Sequence, residues 1–205
     1  MKKYIALCLT LLFFSLQLIS QNIDKVVNKN IYTSYYSIKL KVPLYIEYDL
    51  FKGGGSVSRK NMRFIEEETT AKNKDYAKSG FDRGHLVSAE DFAFDKQLEI
   101  LTFSYYNVFP QHPKLNRGSW KAWEAKIREE SQRYPLKIFV GGIYTSKKIK
   151  NKIGVPDYCW KVVINKQTGK LMHVLLFKND ETQATFRTTL DDLQKKINYK
   201  INFKK

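Results

Sequence analysis

The sequence predicts a single α+β domain built around a mainly antiparallel β-sheet, and three observations predict it. Strand-like runs occur before residue 51 and again after Pro135. Between these groups, from Asn116, apolar residues fall at helical spacing, and a second helix pattern follows Thr189. The last two strand-like runs are separated by Lys166-Gln167-Thr168-Gly169, short enough for a hairpin, which makes those runs antiparallel neighbours.

Residues 32–50 alternate, most clearly in Leu44-Tyr45-Ile46-Glu47-Tyr48-Asp49-Leu50, with the period of a half-buried strand. Gly53-Gly54-Gly55 interrupts the pattern. No Gly-Lys-Ser/Thr follows, so these glycines read as a flexible loop and not as a phosphate cradle. Residues 59–79 are polar and charged and read as an irregular surface connection. After a short run at 81–86, the aromatic-rich 102–109 reads as a strand stopped by Pro110 and Pro113, because proline has no N–H to give a ladder. Trp120, Trp123 and Ile127 then share one helix face as core residues, with Asn116 placed to cap that helix. Strands follow at 136–144, 158–164 and 171–177. Thr189-Leu190-Asp191-Asp192 has the form of a helix start, with Leu190, Leu193 and Ile197 as its apolar positions. The tail at 199–205 is basic and expected to fray.

Residues 1–20 read as an export signal: Lys2 and Lys3, an apolar run over 4–14 that weakens to Ile19, then Ser20 before a cleavage point. The run is short for a membrane span, and nothing after Gln21 is apolar for long enough to cross a bilayer. The expectation is a secreted or periplasmic chain with no stable membrane partner. Cys8 would leave with the signal, and Cys159 alone permits neither an internal disulfide nor a four-cysteine zinc site. About 185 residues remain, enough for a domain with its own core. They divide into an N-terminal segment at 21–43, a main domain at 44–198 and the tail.

Lys and Arg number 36 against 20 Asp and Glu, a net charge of +16 that largely survives the loss of Lys2 and Lys3. Such an excess attracts polyanions, of which the phosphate backbone is the commonest; anionic lipid and acidic polysaccharide are the rivals.

Two segments carry chemistry. The first is Asp82-Arg83-Gly84-His85-Leu86; the second runs through Asn107-Val108-Phe109-Pro110-Gln111 and Leu115-Asn116-Arg117-Gly118-Ser119-Trp120 to Glu124. A strand-turn-strand-helix unit would bring His85 and Asn116 together across 31 positions. Phosphodiester hydrolysis asks for this set. A neutral imidazole can deprotonate water. An Asn carbonyl is a hard oxygen ligand suited to Mg²⁺. A guanidinium fork matches phosphate oxygens. His85, Asn116 and Arg83 supply these by residue type.

These segments resemble the DNA/RNA non-specific endonuclease family, whose active site is a ββα-metal (His-Me) finger. Asp82 to His85 is the family's DRGH, and the two later elements match its NxxPQ and LNxGxW…E in the right order, over a likeness that covers roughly 44–177. The resemblance implies that 44–198 is a nuclease domain with that finger embedded in it. It implies His85 as general base and Asn116 as the direct protein ligand of a mostly hydrated Mg²⁺, with Mn²⁺ as an alternative. Glu124 matches a carboxylate that contacts the metal's waters, and Arg83 the arginine on the scissile phosphate. An upstream arginine is assigned to Arg59, with Arg63 as fallback. Asn107 and Gln111 match polar residues that support the site and are counted among the substrate contacts. The activity so implied is metal-dependent cleavage of DNA and RNA to 5′-phosphate ends.

Other residues have plainer readings. Asp82 is structural, His112 a loop residue, His173 a strand residue and Cys159 a small buried apolar group. Lys147, Lys148, Lys150 and Lys152 form either a phosphate-tracking patch or a solvated run. The alternative functional class is a noncatalytic basic nucleic-acid-binding protein of the same fold; a third is a hydrolase or binder for anionic lipid or polysaccharide.

Overall fold

The computed structural model describes residues 22–197 and 199–201, so the export signal assigned to 1–20 lies outside the described residues. In chain order the elements are β1 (Lys25–Asn28), β2 (Thr33–Ser37), β3 (Val42–Leu50), α1 (Asn73–Tyr76), β4 (Asp82–His85), α2 (Lys96–Leu101), β5 (Val108–Gln111) and α3 (Pro113–Leu115). They continue with α4 (Lys121–Ser131), β6 (Leu136–Ile149), β7 (Ile153–Asn165), β8 (Leu171–Lys178), β9 (Thr185–Arg187) and α5 (Leu190–Ile197). Seven strands form one sheet in the order β1-β2-β3-β6-β7-β8-β9, every pair antiparallel, and β4 with β5 forms a separate antiparallel ribbon. This is the α+β architecture the sequence predicts. No helix among the described residues is long and apolar enough to cross a membrane.

Alternation along β7 divides the molecule. Trp160, Val162 and Ile164 face one side and pack with Leu193 and Ile197 of α5. Cys159 and Val163 face the other side and join the larger core, which includes Trp120 and Ile127 of the helical segment and Val108 and Phe109 of β5. The catalytic-looking segments therefore lie on one face of the sheet and α5 on the other.

Several expectations are corrected. The segment 21–43 is not set apart: β1, β2 and the first residues of β3 belong to the same sheet. The start of the tail does not fray, since Tyr199 stacks on Tyr45 with ring centroids 4.8 Å apart and Ile201 is buried. The strand at 102–109 is displaced: Tyr105–Asn107 is a tight helical turn and β5 follows it. Pro110 sits inside β5, opposite Arg83, a position open to it because the ribbon has a partner strand on one side only. The hairpin of β6 and β7 extends to Ile149 and Ile153 through an exposed Ser146-Lys147-Lys148 and turns on Lys150 and Asn151, both with positive φ. Three residues separate the paired Ile149 and Ile153, and the Lys152 N–H donates to Ile149 O at 3.0 Å across the turn, which carries no glycine.

Asn116 does not cap the helix. The helical path begins earlier, at Pro113, where His112 Nδ1 accepts from the Lys114 N–H at 3.3 Å. Asn116 itself is helical, and a wide turn over Asn116–Trp120, broken at Gly118, leads into α4. The break is held from outside: Gln183 Oε1 accepts from Ser119 N at 3.2 Å, and Ser119 Oγ donates to Gln183 O at 3.0 Å. A Cβ on Gly118 would lie 1.8 Å from that Oε1, so a side chain there would push the Gln183 amide away from Ser119.

Candidate active site

The ribbon places the motif. Strand alternation puts Arg83 and His85 on one face of β4 and Asp82 and Gly84 on the other. Gly84 lies under Gln111, whose Oε1 would be 2.3 Å from any Cβ added there. Gln111 is fully buried, and its Nε2 faces Cys159 Sγ at 3.8 Å. Asn107, also fully buried, fixes the chain just after His85. Its Oδ1 accepts from Val87 N at 2.8 Å, and its Nδ2 donates to Val87 O at 3.0 Å and Thr102 O at 2.8 Å. Neither residue is open to a substrate. Both build the frame, which corrects their assignment as substrate contacts.

The His85 ring is wedged between Phe64 and Phe103, with centroids 5.2 and 5.1 Å away, and its Nε2 is buried without a hydrogen-bond partner. Burial first, then the charges of Arg59 and Arg83, lowers its pKa to about 4. On the opposite face of β4, Asp82 reaches the helical segment. It accepts from Asn116 Nδ2 at 2.9 Å and takes a two-point contact from Arg117, Nε at 2.9 Å and Nη2 at 2.8 Å. A carboxylate only accepts, so the Asn116 amide turns its nitrogen to Asp82 and is left with Oδ1 for another partner.

Glu124 stands on α4 with its side chain 14 % exposed and its Oε1 buried without a hydrogen bond. Burial pushes its carboxyl above the ordinary range, and Lys161, with Nζ 3.9 Å from Oε1, pulls it back. Behind it, Asp91 is closed by Arg128 Nε at 2.9 Å and by the Tyr48 hydroxyl at 3.0 Å. Arg59 is half-exposed, with Nη2 2.9 Å from Glu90 and Nε 3.8 Å from the buried Glu99.

These side chains meet in one cavity of about 410 Å³, lined among others by Arg59, His85, Glu90, Asn116, Lys121 and Glu124. Arg83 is not part of that lining; its guanidinium lies over the rings of Phe64 and Tyr76, 5.1 and 5.9 Å from their centroids. No group of three or more His, Cys, Asp or Glu among the described residues is arranged to hold a metal. The cavity instead offers the amide oxygen of Asn116 and the carboxylate of Glu124, whose Oε1 is buried on the side of Lys161. Such a sparse, hard set suits a cation that keeps most of its own waters, as Mg²⁺ does.

A family model described as DNA/RNA non-specific endonuclease matches residues 12–205. The chain belongs to the DNA/RNA non-specific endonuclease family. Among curated relatives, the mitochondrial nuclease EXOG of Danio rerio is 30% identical over 129 residues, 54% of this chain and 38% of the relative. The mitochondrial endonuclease G of Homo sapiens is 31% identical over 134 residues, 56% and 45%. Mitochondrial nuclease 1 of Schizosaccharomyces pombe is 28% identical over 171 residues, 72% and 53%. The chain thus spans about half, or less, of the length of these relatives. A crystal structure of an EndoG/EndoGI complex shares the fold, with a TM-score of 0.73 at 22% identity over 86% of this chain and 85% of that one.

Within this member of the DNA/RNA non-specific endonuclease family, the fold brings His85, Asn116, Glu124 and Arg59 together and keeps Arg83 beside them. Sequence reasoning missed Glu90, which binds Arg59 at the cavity, and Lys161 behind Glu124. Glu90 carries no local signal, because its partner lies 31 positions away. Lys161 carries one: in Cys159-Trp160-Lys161-Val162-Val163, alternation places it on the same face as Cys159 and Val163. His112 and His173 take structural parts, the first at the start of α3 and the second 2.9 Å from Glu130.

Proposed function

We propose that this protein is a metal-dependent nuclease that hydrolyses phosphodiester bonds of DNA and RNA without sequence preference, leaving 5′ phosphates. The observation that carries this reading is the convergence of an imidazole, a free amide oxygen, a carboxylate and a guanidinium on one cavity. His85 stays neutral down to about pH 4, so it is a base throughout the neutral range. With Nε2 buried, Nδ1 is the nitrogen left to take the proton of an attacking water. The water oxygen bonds to phosphorus as the bond to the 3′ oxygen breaks. Arg59 and Arg83 neutralise the nonbridging oxygens. Asn116 Oδ1 and Glu124 would hold a hydrated Mg²⁺ or Mn²⁺, which supplies positive charge to the phosphate and the departing oxygen. Arg117, with its side chain 72 % exposed, and Lys121 also line the cavity and add positive charge for phosphates flanking the scissile one. Phosphate contacts carry no base information, which is the physical ground for low sequence preference.

The test is digestion of supercoiled plasmid and of RNA with Mg²⁺ or Mn²⁺, with end analysis of the products. Cleavage should need the metal and should fall by about 10²–10⁴-fold in His85→Ala. Undiminished cleavage by that variant removes the mechanism. Salt-sensitive binding without cleavage under any divalent metal would favour the noncatalytic reading. We also propose that residues 1–20 direct export, checked by fractionating cells and sequencing the N-terminus of the exported chain.

A further inference from the structure

Lysine is almost never fully buried unless it is paired, yet Lys161 is 1 % exposed in the middle of β7. Its Nζ lies 3.9 Å from the centroid of the Trp120 ring and 3.9 Å from Glu124 Oε1. Trp120 is itself locked edge-on between Phe109 and Phe177, with centroids 6.1 and 5.0 Å away, so the ammonium rests on a rigid wall. The other buried charges nearby are already matched. Asp91 takes Arg128 and Tyr48, and Arg128 also reaches Glu90 Oε2 at 3.2 Å. Lys161 also feels Asp91, but its ion pair is with Glu124, a side chain that has one oxygen in the protein and lines the cavity as well.

Resting on the proposed metal-dependent activity, we infer that Lys161 is a positioning residue: its buried ammonium holds the Glu124 carboxylate from behind, so that Glu124 faces the cavity as a fixed acceptor for the waters of a divalent cation. Lys161 is too deeply buried to touch a substrate, so it acts through Glu124. Without that charge, the carboxylate loses its nearest opposite charge, is left with the weaker pull of Arg128, and regains rotamer freedom.

The test uses the whole protein without nucleic acid and measures Mn²⁺ affinity by calorimetry and by electron paramagnetic resonance. It compares wild type, Lys161→Met, Glu124→Gln and the double variant. Lys161→Met keeps an unbranched side chain out to the ε carbon and removes the ammonium; it should weaken Mn²⁺ binding by about 10- to 100-fold, the usual cost of losing an outer partner of a metal site. The same change should add nothing in the Glu124→Gln background. With Mn²⁺ saturating, Lys161→Met should lower kcat with KM for DNA unchanged. Wild-type affinity in Lys161→Met, or equal losses in both backgrounds, overturns the inference. Should Lys161→Met fail to fold, the double variant, which removes both charges together, decides against Glu124→Gln alone: equal Mn²⁺ affinity supports the inference and a further loss overturns it. A wild-type protein that binds no Mn²⁺ overturns the metal reading along with the inference, whereas wild-type binding that Lys161→Met leaves unchanged overturns the inference alone.

Discussion

His85 can act as a base only while it is unprotonated, and its surroundings keep it so. Burial, Arg59 and Arg83 set its pKa at about 4 against an ordinary 6.5. The acid limb of the rate profile assigned to this group should therefore fall near pH 4, with no inflection near 6.5; an inflection at 6.5 that vanishes in His85→Ala would contradict the environment described. Stability moves with the same group. Below pH 6.5 the unfolded chain takes up a proton that the folded chain refuses, so acid favours unfolding until pH 4. Stability is full above 6.5, and about 3 kcal/mol of it is lost by pH 4. Denaturant titrations of wild type and His85→Ala across that window should differ in slope. Asp82 supplies a second prediction. It fixes both the Asn116 amide and Arg117, so Asp82→Ala should weaken Mn²⁺ binding by about 10- to 100-fold while leaving secondary structure intact. At this scale the motif residues were legible because their chemistry is local in sequence: DRGH brings base, arginine and carboxylate together in four positions. Asn107 and Gln111 were legible as important but not as buried. Their burial comes from packing against Val87, Gly84 and Cys159, which no local pattern encodes.

Gly118 is the element-scale counterpart. The bend at this residue joins the turn that carries Asn116 to the helix that carries Glu124, and the loop at Gln183 holds it from outside. Gly118→Ala would displace Gln183 Oε1 and leave the Ser119 N–H without its acceptor. A loss of about 1 kcal/mol per hydrogen bond implies a fall of roughly 2–4 °C in Tm for a chain of this size. Activity should fall further than stability, because the bend sets how Asn116 and Glu124 face each other. In a Gln183→Ala background the same methyl should cost little, which thermal melts of the four combinations can check. The strands of the main sheet were legible from their alternation, and the hairpin at Lys166 to Gly169 and the start of α5 from their turn and cap residues; the Thr189 hydroxyl does accept from Asp192 N at 3.1 Å. The extension of the β6–β7 hairpin was not, because its outer residues are polar and the pairing partner supplies the order. Nor was the early helical start, which His112 provides with an atypical capping side chain.

Across the whole molecule the dominant physical property is charge, +16 over 205 residues. Binding of DNA by His85→Ala should weaken steeply as salt rises. For about 6–10 phosphate contacts the affinity would drop roughly 10³–10⁵-fold between 50 and 200 mM. A flat salt response would argue against backbone contacts as the source of affinity. The fold itself was legible as a class from the order of its runs, but not the division of labour between the two faces of the sheet, which depends on which residues of β7 point which way. That division has a practical corollary. Helix α5 is separated from the cavity by the sheet, Lys195 on it is 78 % exposed, and Cys159 is sealed in the interior. A thiol introduced by Lys195→Cys would offer maleimide chemistry a single accessible handle among the described residues. Tethering through it to a bead or a fluorophore should leave the mouth of the cavity unobstructed, so that an immobilised preparation digests as fast as the free protein.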